Sequence, residues 1–180
     1  MKTKNWQLLS IGFLAGMALA VRSYAGDEKK SVEQRLTEVE DKEQIRNLLA
    51  RYMHYLDARE MVKYSELFTE DGVVNAAQGK WTGRTEMQNM FKPRKNPDGT
   101  ERAAGPPRPM IHYVIDSVIQ VNGNEARHWA KYFAFFPAEK QGERPTVSGI
   151  GGYNDWLVKK DGVWYFKRRD ILHENPKIEF

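Results

Sequence analysis

The sequence predicts one α+β domain in which N-terminal helices pack on one face of a curved antiparallel sheet. In the first third of the chain apolar residues recur at helical spacing. The second half instead alternates apolar and polar residues at strand spacing and carries glycine-containing turns. A chain of 180 residues is long enough for one domain with a real core and too short for two comfortable ones.

The first 25 residues predict a secretion signal. Lys2 and Lys4 precede an apolar run over residues 11–21, and the small residues Ser23 and Ala25 follow it on either side of Tyr24. The run is too short for a confident membrane span, although an uncleaved anchor is the alternative. We therefore expect a signal peptide over residues 1–25, a polar leader over residues 26–36 and a mature protein in the periplasm or outside the cell.

Composition excludes several classes of function. The formal net charge of +4 is largely carried by the predicted signal, because losing Lys2, Lys4 and Arg22 would bring the 28 basic residues almost level with the 24 acidic ones. Nucleic-acid binding therefore loses its electrostatic support. The chain has no cysteine, which excludes thiolate nucleophiles, zinc–thiolate sites and disulfides.

Helical spacing of apolar residues predicts a principal helix that ends at Asp57. Capping boxes begin at Ser31 and at Thr37, and Asp41 is a third candidate for the start of this helix. The helix would bury one apolar face against the sheet.

Two further short helices and a small hairpin are predicted next. One helix covers residues 61–68 and is ended by the turn signal Glu70–Gly72. Val73–Val74 and Lys80–Thr82 resemble the arms of a hairpin, and the third helix is capped by Thr85 and Gln88 and ends near Phe91. After it comes a loop rich in proline and charge.

Long strands follow that loop. Asn122–Gly123 and Asp161–Gly162 are strong signals for hairpin turns. Glycines at 149, 151 and 152 predict a bulge or sharp bend in one long strand. The predicted strands cover residues 110–121, 126–136, 146–160 and 163–172.

Motifs along the chain resemble the SnoaL-like domains of the nuclear transport factor 2-like superfamily. The residues that carry the resemblance are Glu40–Arg46, Arg51–Tyr52, Asp57, Leu67–Gly72, Ile111–Tyr113, Tyr153–Asp155, Asp161–Phe166 and Arg169. They follow the family's order from about Thr37 to Ile171, which predicts a domain over residues 37–175. The resemblance implies a cone-shaped half-barrel whose curved, mixed sheet holds the helices on its concave side.

Within that superfamily the sequence is similar to a branch of cofactor-free lyases that includes scytalone dehydratase, bile acid 7α-dehydratase and hexachlorocyclohexane dehydrochlorinase. Their Asp–His dyad falls on Asp57 and His112. A tyrosine of the bile acid enzyme falls on Tyr52, where the dehydrochlorinase has a lysine. An arginine of the dehydrochlorinase falls on Arg169. Scytalone dehydratase has a tyrosine in place of Leu56 and a second active-site histidine without a counterpart here.

The resemblance implies a separate role for each of these four residues in an elimination reaction. His112 would take the proton, since the ordinary pKa of imidazole lies near neutral pH, and Asp57 would orient it. Tyr52 would donate a hydrogen bond to a carbonyl or leaving group, and Arg169 would stabilise developing negative charge. No metal or other cofactor is expected.

We expect a small hydrophobic molecule, such as a steroid or polyketide, as the ligand. Neither nucleic acid nor, after signal cleavage, a membrane is expected as a partner, and the family's habit implies a homodimer or homotrimer formed through the open sheet. His173 is a secondary candidate at the cone mouth. The residues predicted to bind the substrate are Leu56, Met110, His128, Trp129 and Tyr153.

Plainer interpretations of the same residues stay open. A lone histidine such as His112 is often a satisfied core residue, and Tyr52 at helical spacing is by default a core tyrosine. Arg169 lies in a charged run typical of a solvated strand face. His112, His128 and a carboxylate could bind a metal. The whole domain could also be a binding or dimerisation module, or an isomerase of the ketosteroid type.

Overall fold

The computed structural model describes residues 30–95, 98–102, 110–174 and 178. The predicted signal peptide and the first residues of the predicted leader lie outside this part of the chain. Among the described residues, no helix is both long and apolar enough to span a membrane. The elements are α1 (Val32–Asp57), α2 (Met61–Glu66), β1 (Phe68–Ala76), β2 (Gly79–Thr82), α3 (Gly83–Gln88), β3 (Arg94–Lys95), β4 (Glu101–Arg102), β5 (Ile111–Asn122), β6 (Glu125–Phe136), β7 (Thr146–Lys160) and β8 (Val163–Leu172).

The main sheet has six strands in the order β2-β1-β8-β7-β6-β5. Its neighbours are antiparallel except for β1 and β8, which run parallel, so the sheet is mixed. The sheet is curved but not closed, with the helices on one side, which confirms the predicted α+β cone. A separate two-stranded ribbon pairs β3 with β4 inside the segment predicted as a loop.

Helix α1 is a single 26-residue helix whose start is fixed by the first of the candidate caps. The Gln34 backbone N–H donates to Ser31 Oγ at 3.1 Å, and the Ser31 N–H donates to Gln34 Oε1 at 2.8 Å. This reciprocal capping box satisfies two otherwise unpaired amides. Residues 32–36, predicted as leader, are therefore helical. The side chains that α1 buries are Asp41, Ile45, Leu48, Leu49, Tyr52 and Leu56.

A buried carboxylate fastens α1 to the sheet. Asp41 Oδ1 accepts hydrogen bonds from Lys159 Nζ at 2.6 Å and from Trp164 Nε1 at 2.9 Å. These donors lie on β7 and β8, so the two hydrogen bonds fix the position of the helix relative to these strands. Asp41 does not start the helix, as one prediction had it, but anchors its middle.

Two local predictions were wrong. Glu70–Gly72 was predicted as a turn, but the segment lies within β1, where the register against β8 shifts between Phe68 and Val73. A turn-like sequence can continue a strand when a bulge absorbs its geometry. Helix α3 begins at Gly83 rather than at Thr85, because Thr82 ends β2 and passes directly into the helix.

The long hairpins agree with the prediction. At the β7–β8 turn Asp161 and Gly162 have φ of +50° and +79°, which an Asp-Gly pair adopts at little cost. The predicted irregularity near the glycines is present, since the β6–β7 register shifts between Ala134 and Phe135. A second shift, in β5 between Ile115 and Val118, was not predicted.

Candidate active site

Asp57 and His112 meet where the end of α1 crosses the start of β5. Asp57 is the last residue of the helix and His112 the second residue of the strand. Asp57 Oδ1 lies 2.6 Å from His112 Nδ1, and the His112 backbone N–H donates to Asp57 Oδ2 at 3.0 Å. The side chains are 23% and 8% exposed, respectively. One carboxylate therefore fixes both the main chain and the ring of the same histidine.

The position of Asp57 is electrostatically unusual. A carboxylate at the C-terminus of a helix faces the negative end of the helix dipole, which disfavours its charge. The two donors of His112 offset this cost. So does the guanidinium of Arg59, which interacts electrostatically with Asp57. With an ionised Asp57 as acceptor, His112 Nδ1 carries the proton and Nε2 keeps a free lone pair.

The imidazole of His112 forms part of the wall of a cavity of about 470 Å³. The cavity lies between α1 and α2, the concave face of the sheet and the segment that follows α3. Four other predicted residues, Tyr52, Leu56, Met110 and Tyr153, line it as well. The remaining lining residues are Tyr64, Val74, Ala76, Gln78, Trp81, Met90, Phe91, Lys92, Tyr132, Ala134, Ser148, Gly149, Ile171 and His173. Apolar and aromatic side chains predominate, as in most small-molecule sites.

Tyr52 lines the cavity, and its hydroxyl has a defined partner. Tyr64 Oη donates to Tyr52 Oη at 3.1 Å, so the Tyr52 hydroxyl retains its own proton for a ligand. Burial raises the pKa of Tyr64 well above its ordinary value, and that hydroxyl therefore stays a donor. Tyr64 was not singled out from the sequence, because its helix is too short to show a periodic apolar face.

Arg169 lies beneath the cavity and does not line it. Its guanidinium is fully buried, 3.9 Å from the centroid of the Tyr52 ring and 4.2 Å from that of Tyr153. Two hydrogen bonds of 2.8 and 2.6 Å join it to Asp155. Burial opposes its charge, but the Asp155 carboxylate overcomes this effect and raises the pKa of Arg169. The residue is thus placed to act on a ligand only through Tyr52 and Tyr153.

His128 and Trp129 also lie away from the cavity. His128 is completely buried and bonds to Asp155, with 2.6 Å between His128 Nδ1 and Asp155 Oδ2. Trp129 follows it on β6 and so points to the opposite face of the sheet, where the Arg127 guanidinium lies 5.0 Å from its ring. His112 and His128 each face a different aspartate, and the described residues contain no group of three side chains able to hold a metal.

Tyr132 is a further aromatic wall residue that the sequence did not single out. Its ring stacks on Tyr153 at 4.8 Å and lies 6.5 Å from the His112 ring. Burial raises the pKa of Tyr132, which keeps its hydroxyl protonated. The sequence did carry a signal for it. Ala134 pairs with His112, and Tyr132 lies two residues from Ala134 on β6, so its side chain is on the same face of the sheet. His173, the secondary candidate, does line the cavity.

Comparison with known proteins agrees with this architecture. The chain resembles an NTF2-like protein of cystatin-like fold from Novosphingobium aromaticivorans, with 19% identity over 86% of this chain and 94% of that one and a TM-score of 0.64. It also resembles a provisionally assigned scytalone dehydratase from the same species, with 20% identity, coverage of 81% and 99%, and a TM-score of 0.59.

A third similar structure is the hexachlorocyclohexane dehydrochlorinase LinA-type3 from Novosphingobium barchaimii, with 13% identity, coverage of 76% and 88%, and a TM-score of 0.57. At these identities the likeness concerns the fold. Comparison with curated protein sequences finds no significant match. The family model of the SnoaL-like domain matches residues 37–170, and the chain therefore belongs to the SnoaL-like family.

Proposed function

We propose that this chain is a cofactor-independent lyase of the dehydratase type, with His112 as the base. The observation that carries the proposal is the 2.6 Å contact between Asp57 Oδ1 and His112 Nδ1 at the wall of an apolar cavity. This contact leaves Nε2 as the only ring nitrogen of His112 able to accept a proton. A base whose ordinary pKa lies near neutrality suits proton abstraction at working pH.

The proposed reaction is an elimination next to an activating group. His112 Nε2 takes a proton from carbon, the electron pair of the broken C–H bond forms a C=C bond, and a hydroxyl group departs. The departing hydroxyl takes up the proton held by His112 Nε2 and leaves as water, which returns the imidazole to its neutral form. Asp57 stabilises the imidazolium that forms, as the carboxylate does in hydrolase triads.

Tyr52 serves as the hydrogen-bond donor to the substrate carbonyl or to the leaving group. The Tyr64 hydroxyl bonded to Tyr52 and the Arg169 guanidinium beneath its ring both stabilise negative charge on the Tyr52 oxygen. Arg169 is in this view a positioning residue, since its side chain is fully buried and occupied by Asp155.

The cavity favours a small hydrophobic substrate such as a steroid or polyketide. Its volume of about 470 Å³ suits a fused ring system, and its aromatic wall suits flat apolar surfaces. The names of two similar structures, a provisionally assigned scytalone dehydratase and a hexachlorocyclohexane dehydrochlorinase, describe eliminations of water and of hydrogen chloride, which supports the same reaction type here.

The test is product analysis of the full chain on a panel of hydroxylated steroids and aromatic polyketides. Loss of water from one panel member should depend on His112, with His112→Gln lowering kcat/KM by about 10²–10⁴-fold. His54→Gln is the matched control, because His54 is exposed on the same helix as Asp57 and does not line the cavity. Equal loss in both variants would contradict the proposal.

Two other outcomes identify the alternatives. An isomerase would use the same proton abstraction but return a proton to the substrate. Its product would have the mass of the substrate in ordinary water and would gain deuterium in heavy water. A binding module would retain ligand without turnover. In that case His112→Ala would alter affinity and stability but no rate.

We further propose that the protein is exported and assembles as a homodimer or homotrimer. The predicted signal peptide supports export, and the mass of the mature protein recovered from a bacterial periplasm would test cleavage after Ala25. Exposed apolar residues on the convex sheet face support assembly, and light scattering of the purified protein would test it. These residues are Ile111, Tyr113, Ile115, Phe133, Val147 and Ile150.

A further inference from the structure

A second aspartate–histidine pair ends at an exposed serine. Ser117 Oγ lies 2.6 Å from His128 Nε2, and His128 Nδ1 lies 2.6 Å from Asp155 Oδ2. The two ring nitrogens of His128 thus face a hydroxyl on one side and a carboxylate on the other. Nucleophilic serine sites are recognised by this connectivity and geometry, not by chain order.

The charge state of Asp155 fixes the direction of these hydrogen bonds. Burial alone would raise the pKa of this carboxyl, but the Arg169 guanidinium, bonded to both oxygens, lowers it below its ordinary value. An ionised Asp155 only accepts, so His128 Nδ1 donates. In the neutral ring Nε2 is then the acceptor, and the Ser117 hydroxyl must donate to it. This is the ground state from which a serine is deprotonated.

The backbone presents Ser117 to solvent. The β5–β6 register shifts between Ile115 and Val118, so that Asp116 and Ser117 fall outside the paired positions. Asp116 adopts φ of +52°, in the left-handed region, and its carboxylate forms an ion pair of 2.8 Å with Lys131. The bulge turns Ser117 towards His128 while leaving it exposed.

This site is separate from the cavity of the proposed lyase. Ser117, His128 and Asp155 are all absent from the cavity wall. Arg169 connects the two sites, because it bonds to Asp155 and lies under the Tyr52 ring. Chemistry at Ser117 therefore needs no ligand in the cavity.

We propose that Ser117, His128 and Asp155 form a second, nucleophilic site that accepts the acyl group of small carboxylic esters. Ser117 Oγ bonds to the acyl carbon and its proton passes to His128 Nε2. The ester C–O bond breaks, and the alcohol leaves with that proton. Water, deprotonated by His128, then attacks the acyl-serine, its C–O bond to Ser117 breaks, and the carboxylic acid and the free serine are released.

The position of the serine sets the class of ester. Ser117 lies on β5, at the edge of the sheet, and is exposed. An acyl group bound there would remain largely in water. Short acyl chains with good leaving groups, such as acetyl esters of phenols, are therefore the substrates that this site fits.

Covalent labelling of the full chain with diisopropyl fluorophosphate tests the proposal directly. Ser117 Oγ would displace fluoride from phosphorus, with the proton passing to His128, and peptide mapping would locate the product. We expect labelling of Ser117 at least about 100-fold faster than of Ser31 and Ser148, which are exposed serines bonded to Gln34 and Met110 rather than to a histidine. Equal rates at these serines would overturn the proposal.

A second variant keeps the test independent of the stability of the buried pair. Because the chain has no cysteine, Ser117→Cys introduces a single thiol at an exposed position. Next to His128 its alkylation by iodoacetamide should persist below pH 7, whereas the thiol of Ser148→Cys should titrate near the ordinary value of about 8.5. Identical profiles would overturn the proposal. Both readouts are independent of elimination activity, so failure here and failure of the lyase are distinguishable.

Discussion

The two aspartate–histidine pairs have the same contact between a ring nitrogen and a carboxylate oxygen, but they differ in burial and in the charged groups nearby. Both have 2.6 Å between Nδ1 and a carboxylate oxygen, and His112 and His128 point to the same face of the sheet. The first pair is partly exposed at a cavity wall, whereas the second is fully buried and joined to Arg169. The aspartate–histidine contact is therefore the same in both pairs. Their exposure, and the presence or absence of a bonded guanidinium, decide what each pair can do.

The largest expected difference between the pairs is in stability. Asp155→Asn removes the carboxylate that forms an ion pair with the fully buried Arg169 guanidinium, which should lower the free energy of unfolding by about 3–5 kcal/mol. Asp57→Asn removes a carboxylate whose charge the helix dipole already disfavours. This variant should change the free energy of unfolding by less than about 1 kcal/mol. Urea unfolding measures both. Equal losses would show that the first pair is also structural.

The cavity wall can be altered by a substitution that replaces no residue of either aspartate–histidine pair. A Cβ on Gly151 would lie 1.9 Å from the Leu172 carbonyl oxygen and 2.9 Å from the Tyr132 ring. Gly151→Ala should therefore cost about 1–3 kcal/mol and displace the wall near His112. Gly149→Ala is the control, because its Cβ would meet only Tyr132 at 3.9 Å. Unfolding midpoints that fall equally for both variants would contradict this account.

Lowering the pH should reduce the contribution of Asp155 to the free energy of unfolding, by part of the loss expected for Asp155→Asn. Arg169 holds the pKa of folded Asp155 below its unfolded value, so the ionised carboxylate stabilises the fold above about pH 4. That contribution is lost as the pH falls through the folded pKa, and Asp155→Asn lacks it. The stability gap between wild type and variant should therefore narrow in urea titrations from pH 7 to about pH 3. A constant gap would refute the assignment.

The smallest effect is expected from the ion pair beside the exposed serine. Lys131 and Asp116 are 45% and 62% exposed, and such pairs contribute about 0–1 kcal/mol. Lys131→Ala should therefore leave the unfolding midpoint nearly unchanged. Labelling of Ser117 should persist in this variant, since the bulge is set by the strand register. A large loss of stability would show that the ion pair itself holds the bulge.

Much of the fold could be predicted because its signals are local. The turn at Asp161–Gly162 needs two positive φ angles, and the capping box at Ser31 needs two side chains three residues apart. Such features depend on a few neighbouring residues. Glu70–Gly72 was mispredicted because the pairing of β1 with β8, about a hundred residues later, overrides its turn chemistry.

The sequence by itself determined the order of helices and strands, the hairpin turns and the family. It also picked out Tyr52, Asp57 and His112, whose placement at or beside one cavity the structure shows. Only the tertiary structure decided that Arg169 faces Asp155 rather than the cavity, and that His128 connects Asp155 to Ser117. Those contacts depend on strand register and on an unpredicted bulge in β5, and a shift of one residue turns a side chain to the opposite face of a sheet.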